Sequence, residues 1–195
     1  MAGRFIVFEG IDGAGKSTLI DGISDFLRSR DINVIRTAEP TDGPIGKIIR
    51  SGTVKKISQD AEALLFTADR ACHTQEVIEW VSSGKTVLCD RYYASTIAYQ
   101  AADLNGTGSD KEWLKEINRP IIIEPDITIL LDIDPEEGMR RVNHRGEKSK
   151  FEVKDYLERV RSNYIELAEE NNFQIVDASS SKDQVLNEVI TIIGE

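Results

Sequence analysis

The sequence predicts a three-layer α/β fold, a five-stranded parallel sheet with helices on both faces. Two observations carry that prediction. Short apolar runs at 5–8, 32–37, 85–89, 126–131 and 173–176 read as buried strands. Helical periodicity fills the stretches between them, so each strand crosses to the next through a helix. No repeat, low-complexity tract or Pro/Gly-rich linker breaks the alternation, and residues 1–195 are expected to form a single domain. With 40% hydrophobic residues the chain can bury a well-formed core, whereas two independent domains would each be small.

The first strand runs into Gly10-Ile11-Asp12-Gly13-Ala14-Gly15-Lys16-Ser17, followed by Thr18. A glycine, four residues and then Gly-Lys-Ser is the phosphate-binding loop pattern. Its glycines permit positive φ and let backbone N–H groups converge on phosphate oxygens. Lys16 would reach the β- and γ-phosphates, and the Ser17 hydroxyl would ligate Mg2+. Leu19, Ile20, Ile23, Phe26 and Leu27 then give a helix whose positive end faces the loop. A strand before and a helix after distinguish this loop from a glycine-rich turn without a ligand, and the chain is expected to bind a nucleoside triphosphate.

After the second strand, Glu39-Pro40 lies where the carboxyl-end loops of an open parallel sheet face the ligand crevice, although the pair fits an ordinary turn equally well. Ile45, Ile48 and Ile49 suggest a short helix with Arg50 in its last turn. Residues 58–83 read as a long helix. Its Ala61, Leu64, Leu65, Ala68 and Cys72 share one face and are expected to meet the core, while Phe66, Arg70 and His73 fall nearly opposite. That second face is either a pocket wall, with Phe66 as a stacking surface and Arg70 as a donor, or a second packing face. Periodicity does not choose between them.

The third strand leads into Asp90-Arg91-Tyr92-Tyr93. Asp90 is placed to hold Mg2+ or its water shell and Arg91 to fork a phosphate, the alternative being an ion pair between neighbours. The next helix carries Ser95, Ala98, Tyr99 and Gln100, and residues 101–110 read as a loose connection. After the fourth strand, Asp134 suits the cap and Pro135 the first turn of a short helix bearing Arg140 and Arg141. His144 to Lys150 is strongly basic in an acidic chain, which favours an anion-facing lid at about 141–151. Val153, Tyr156, Leu157, Val160, Tyr164, Leu167 and Ala168 mark the following helix, and Val185, Val189 and Ile193 the closing one.

A formal charge of −10 and a pI near 4.8 argue against a nucleic-acid or anionic-membrane surface. No apolar run approaches a membrane span, and the first strand begins too early to leave room for a signal peptide. A soluble, cytoplasmic protein is expected. Cys72 and Cys89 have no neighbours at metal-ligand spacing and are expected to be buried free thiols.

Among phosphate-loop proteins, a GTPase switch needs an Asn-Lys-x-Asp guanine reader, which is absent, and a motor or regulatory ATPase couples to a large partner surface. A small-molecule kinase needs an acceptor pocket and a cationic lid, and candidates for both are present. The chain also resembles the thymidylate kinase family, in its bacterial-type form with the catalytic arginine in the lid. The resemblance rests on Phe8-Glu9-Gly10 through Thr18, Glu39-Pro40, Leu65-Phe66-Thr67-Ala68-Asp69-Arg70, Asp90-Arg91-Tyr92 with Ser95 and Ala98-Tyr99-Gln100, Leu131-Asp132-Ile133-Asp134-Pro135, and Arg141 through Arg145-Gly146-Glu147. These pieces stand in family order and spacing over nearly the whole chain.

The resemblance implies the phosphate-loop nucleoside monophosphate kinase fold, a homodimer built by packing helices, and Mg2+-dependent transfer of the ATP γ-phosphoryl group to dTMP. It implies that residues Gly10 to Thr18 and Arg141 bind ATP, and that Ser17 and Asp90 serve the metal. Phe66 would stack on thymine and Arg70 would bond its edge, with Ser95 and Gln100 completing the base side. Asp12 would approach the 3′-hydroxyl, Glu39 would belong to the acceptor site, and Arg91 and Arg50 would hold the acceptor phosphate. Tyr99 would crowd the 2′ position. Lys16, Arg91, Asp90 and Arg145 would be the catalytic set. The chain departs from the family at Ala38, where an arginine is often found, and at Asn143, where some relatives carry a further lid arginine. Gly13 stands where the eukaryotic form places its loop arginine, which leaves Arg145, then Arg141, for that role. Other readings open from sequence are another nucleoside monophosphate kinase, a deoxynucleoside kinase using Glu9 or Asp90 as base, and a nucleotide-gated interaction module.

Overall fold

Five consecutive buried residues make β1 (Phe5–Glu9) the central strand. A strand covered on both faces reads as a continuous apolar run, which is why Phe5-Ile6-Val7-Phe8 was legible without alternation. The computed structural model describes residues 3–52, 57–102, 108–142 and 150–194. After β1 come α1 (Lys16–Arg28), β2 (Val34–Ala38), α2 (Pro44–Arg50), α3 (Gln59–Ser82), β3 (Thr86–Asp90) and α4 (Tyr93–Gln100). Then follow α5 (Lys111–Asn118), β4 (Ile127–Asp132), α6 (Pro135–Val142), α7 (Lys150–Asn171), β5 (Gln174–Asp177) and α8 (Lys182–Gly194).

The sheet order is β2-β3-β1-β4-β5, and every neighbouring pair is parallel. The expected α/β class and five parallel strands are therefore present. Helices flank the sheet in two groups, α1 packed on α8, and α4 packed on α3 and α7. The chain leaves β1 in one direction for β2 and later returns on the other side to β4, so the order reverses around β1. Ligand crevices in open parallel sheets form at such a reversal, beyond the carboxyl ends of the strands. Here the register brings Phe8 level with Asp90 and Glu9 level with Leu130. The ends of β1, β3 and β4 thus open onto one edge.

Two expectations need correction. Residues 111–118 form a helix that the sequence reading did not assign. Asp110 caps it, accepting from the Trp113 N–H at 2.8 Å, and its buried Leu114 and Asn118 face inward. The long helix α3 is present, with Ser58 accepting from the Ala61 N–H at its start, but its burial is reversed. Leu64, Ala68 and Cys72 are exposed and Ala61 and Leu65 only half-buried, whereas Ala63, Thr67, Arg70, His73, Thr74 and Val77 are buried. Polar residues occupy the inner face because partners elsewhere in the chain satisfy them, and the apolar face is left outside. Cys72 is consequently exposed rather than buried; Cys89, in β3, is buried as expected. Among the described residues no helix is long and apolar enough to cross a membrane.

Candidate active site

The phosphate-binding loop takes the shape its glycines permit. Gly10, Gly13 and Gly15 have φ of 138°, 85° and 93°, values that side chains with a Cβ rarely adopt. At Gly13 an added Cβ would also strike the backbone carbonyl of Gly138 in α6, so the loop and α6 approach as closely as two glycines allow. Lys16 folds back over the loop, its Nζ donating to the carbonyl oxygens of Gly10 at 2.9 Å and Ile11 at 3.1 Å. Burial, and then the nearby Arg91 charge, lower its pKa to about 8. An arriving anion would offset both effects.

A cavity of about 1090 Å3 lies over the loop, lined by Asp12 to Thr18, Asp90 and Arg91, with Arg141 and the segment after β5 opposite. Arg141 is held there by a bond from Nη1 to the Ala178 carbonyl at 3.0 Å. Gly10 and Ile11, expected to bind ATP, do not line this cavity and contribute the carbonyls that hold Lys16. At the end of β3, Asp90 Oδ2 accepts from the Ser17 hydroxyl at 2.8 Å. Its Oδ1 is buried without a hydrogen-bond partner among the described residues. An orphaned carboxylate oxygen beside a hydroxyl at the phosphate loop suits a hard cation such as Mg2+, whose other ligands would come from phosphate and water.

A second cavity of about 310 Å3 adjoins the first, and Asp12, Glu39 and Arg91 line both. Phe66, Arg70, Ser95, Tyr99 and Gln100 complete its expected lining. Eight of the nine residues expected to meet the acceptor are therefore brought together. Arg50 is the exception. It lines a neighbouring cavity of about 460 Å3, where it pairs with Asp42 at 2.6 Å and donates to the Pro40 carbonyl. Arg145 and Asn143, with the rest of 143–149, lie outside the described residues.

Arg70 is buried and fixed on every side. Nε donates to Glu39 Oε2 at 2.8 Å, Nη1 to Asn118 Oδ1 at 2.6 Å, and Nη2 to Thr96 Oγ1 at 3.0 Å. Nη2 also lies 2.7 Å from Glu39 Oε2. Three of its five guanidinium N–H groups thus donate hydrogen bonds, one each from Nε, Nη1 and Nη2. Arg70 also lines the second cavity. The second Glu39 oxygen lies 2.9 Å from Nδ1 of buried His73, whose Nε2 meets Thr37 Oγ1 at 2.7 Å.

Arg91 is held as closely. Its φ of 70° is in the left-handed region, its Nη2 donates to Asp12 Oδ1 at 2.5 Å and Tyr99 OH at 3.3 Å, and its Nη1 to Ser95 Oγ at 3.2 Å and Tyr164 OH at 3.3 Å. Behind it is Glu9, fully buried, whose Oε2 accepts from Ser95 Oγ at 2.6 Å and Tyr164 OH at 3.1 Å. Burial pushes its carboxyl above the ordinary range, opposed by the Ser95 hydroxyl, the Arg91 charge and the Tyr92 N–H. Asn118, Thr96 and Tyr164 were not expected at the site. Asn118 sits on the unassigned helix, and Tyr164 read as one core position of α7. The available signals were the Asp110 cap before an amphipathic turn, and a carboxylate, Glu9, closing an apolar strand.

Two cavities sharing a wall that carries both a carboxylate and a guanidinium leave room for two phosphorylated ligands end to end, one of them over the phosphate loop. That arrangement places the chain among the phosphate-loop nucleotide kinases. A family model described as thymidylate kinase matches residues 8–189. A probable thymidylate kinase of Thermococcus kodakarensis is 43% identical, over 97% of this chain and 96% of its own length. That of Thermococcus onnurineus is 40% identical with the same coverage. That of Archaeoglobus fulgidus is 41% identical, over 96% of this chain and 93% of its own. The chain belongs to the thymidylate kinase family.

Glu39→Ala would leave the Arg70 guanidinium and His73 buried without their shared acceptor. The expected cost is about 3–5 kcal/mol in urea unfolding. A loss below about 1 kcal/mol would mean that Glu39 is not what holds Arg70.

Proposed function

We infer that the protein transfers the γ-phosphoryl group of ATP to dTMP, giving dTDP and ADP. The observation that carries this reading is the second cavity: an aromatic side chain, a buried arginine fixed by Glu39, Asn118 and Thr96, and a tyrosine line it, and it shares Arg91 with the phosphate-loop cavity. In this reading ATP lies over Gly10 to Thr18 with Arg141 on its far side. Thymine stacks on Phe66 and accepts from Arg70 at its edge, with Ser95 and Gln100 on the base side and Tyr99 at the 2′ position. Glu39 acts by fixing Arg70, and Asp12 faces the 3′-hydroxyl. The chain would work as one kinase domain with a lid at about 141–151.

The acceptor phosphate is largely dianionic at neutral pH, its second pKa being about 6, so no base is required. The barrier lies in bringing two anions together while charge builds on the transferred group. Lys16 would draw negative charge from the donor side and Arg91 from the acceptor side, with Asp12 ceding its place on Arg91 Nη2 to the incoming phosphate. Arg145 would add a third cation from the lid. Arg50 would need to leave Asp42 to take part. Ser17 and Asp90 would hold Mg2+, which when bound neutralises charge across the β- and γ-phosphates. Lid closure would exclude water that otherwise hydrolyses ATP.

The homodimer is a proposal with its own support. Leu64 and Ile78 are exposed at 49% and 39%, and with Ala68 and Cys72 they give the outer side of α3 an apolar stripe; Ile57, just before α3, and Ile48 of α2 are exposed as well. A second copy packed helix against helix would cover it. Localisation in the cytoplasm is proposed with the same role.

A coupled assay with ATP and each common nucleoside monophosphate tests the reading. Turnover of dTMP well above dUMP supports it, and no turnover with any acceptor contradicts it. Phe66→Ala is expected to raise the KM for dTMP about tenfold or more with the ATP KM little changed; the reverse pattern removes Phe66 from the base pocket. Arg145→Ala is expected to lower kcat by about a hundredfold or more while dTMP binding weakens far less. Equal losses in both would undo its lid role. Leu64→Glu should convert the dimer to monomer in sedimentation velocity, and an unchanged sedimentation coefficient would place the interface elsewhere.

A further inference from the structure

Glu9 closes β1 and has no access to solvent. Four donors converge on it. Oε1 accepts the backbone N–H groups of Tyr92 at 2.9 Å and Ser95 at 3.2 Å, while Oε2 accepts the hydroxyls of Ser95 and Tyr164. The two N–H groups belong to the first turn of α4, whose N-cap residue Tyr92 supplies no side-chain cap of its own. A carboxylate from another strand therefore caps α4, at the end where the helix dipole favours negative charge. The Arg91 N–H also bonds back to β1, donating to the Phe8 carbonyl at 2.9 Å. The left-handed turn at Arg91 is thus pinned to the last two residues of β1, immediately before the phosphate loop.

The hydroxyls fix a polarity. Ser95 Oγ and Tyr164 OH lie 2.7 Å apart, and each has one proton. With an acceptor at Glu9 Oε2, both protons are spent toward that oxygen or between the two hydroxyls. Their lone pairs are left for the two Nη1 hydrogens of Arg91. A donor at the Oε2 position would reverse the chain and turn a hydroxyl proton toward the guanidinium.

We propose that Glu9 is a positioning residue for phosphoryl transfer: one oxygen caps the helix that walls the acceptor cavity, and the other orients Ser95 and Tyr164 as acceptors that hold Arg91 at the junction of the two cavities. The proposal rests on the kinase reading for what Arg91 meets, but not for how Arg91 is held. Glu9→Gln separates its two halves. The amide oxygen can keep the Tyr92 and Ser95 N–H groups, and the amide nitrogen then faces the hydroxyls as a donor.

In the full chain, Glu9→Gln is expected to lower kcat/KM for dTMP by about tenfold to a hundredfold with the ATP KM within about twofold. Adding it to Ser95→Ala/Tyr164→Phe should cost less than about twofold more, because the intermediaries are already gone. Unchanged dTMP kinetics, or losses that simply multiply in the triple variant, would overturn the proposal. Should Glu9→Gln not fold, Tyr164→Phe alone, which leaves the cap untouched, should still lower kcat/KM for dTMP several-fold, and wild-type kinetics there would overturn it equally. A crystal structure of Glu9→Gln should show Arg91 Nη1 withdrawn from positions 95 and 164; an unmoved guanidinium overturns the proposal whatever the acceptor is. Failure of the wild-type chain to phosphorylate dTMP would instead sink the kinase reading, leaving that crystallographic outcome to decide the role of Glu9.

Discussion

Charge removed from water must find a partner, and this constraint governs the carboxyl edge of the sheet. Glu9, Lys16, Glu39 and Arg70 are all buried there, and Arg91 nearly so. None stands alone. Lys16 is bonded by loop carbonyls, Arg70 by Glu39 and Asn118, and Arg91 by Ser95 and Tyr164, which Glu9 orients. Holding each charge by an opposite charge, a carbonyl or a hydroxyl fixes its direction before any ligand arrives. The cations are therefore preorganised, and little reorganisation remains for the moment of reaction.

The sheet topology decides where those charges meet. With β1 between β3 and β4, the phosphate loop leaves the sheet at the same level as the Asp90-Arg91 turn. The end of β2 is tied to the same place, since the Glu39 N–H donates to the Asp90 carbonyl at 3.0 Å. Three chain segments far apart in sequence thus contribute Asp12, Glu39 and Arg91 to the wall common to both cavities. Neighbouring anions would otherwise repel across that wall, and Arg91 is the group that can face both.

Much of this was legible in the sequence because the phosphate loop is local. Its spacing, the strand before it and the helix after it need no information about distant residues, and the one helix read with both ends, 58–83, lies within a residue of α3. What depended on distant partners was harder to read. The helical wheel separated the two faces of α3 correctly but assigned burial to the apolar one. Arg70 could be the inner residue only because Glu39, Asn118 and Thr96 satisfy it, and these lie 31, 48 and 26 positions away. The helix bearing Asn118 was itself unassigned, being eight residues long behind a stretch rich in turn pairs. Tyr164 read as one more core aromatic in a periodic helix, since periodicity registers burial and not the hydroxyl at the tip. Arg50 matched a family position, yet the loop at Pro40 and Asp42 holds it outside the second cavity. The resemblance supplied a residue, and the geometry supplied its present partner.

The most direct test of this account is a crystal structure of the chain with a non-hydrolysable ATP analogue, Mg2+ and dTMP. The account predicts the thymine against Phe66 and the dTMP phosphate on Arg91 Nη2 in place of Asp12, with Arg91 Nη1 still bonded to Ser95 and Tyr164. A pyrimidine remote from Phe66, or an Arg91 that has swung away from Ser95 and Tyr164 to reach the phosphate, would contradict it.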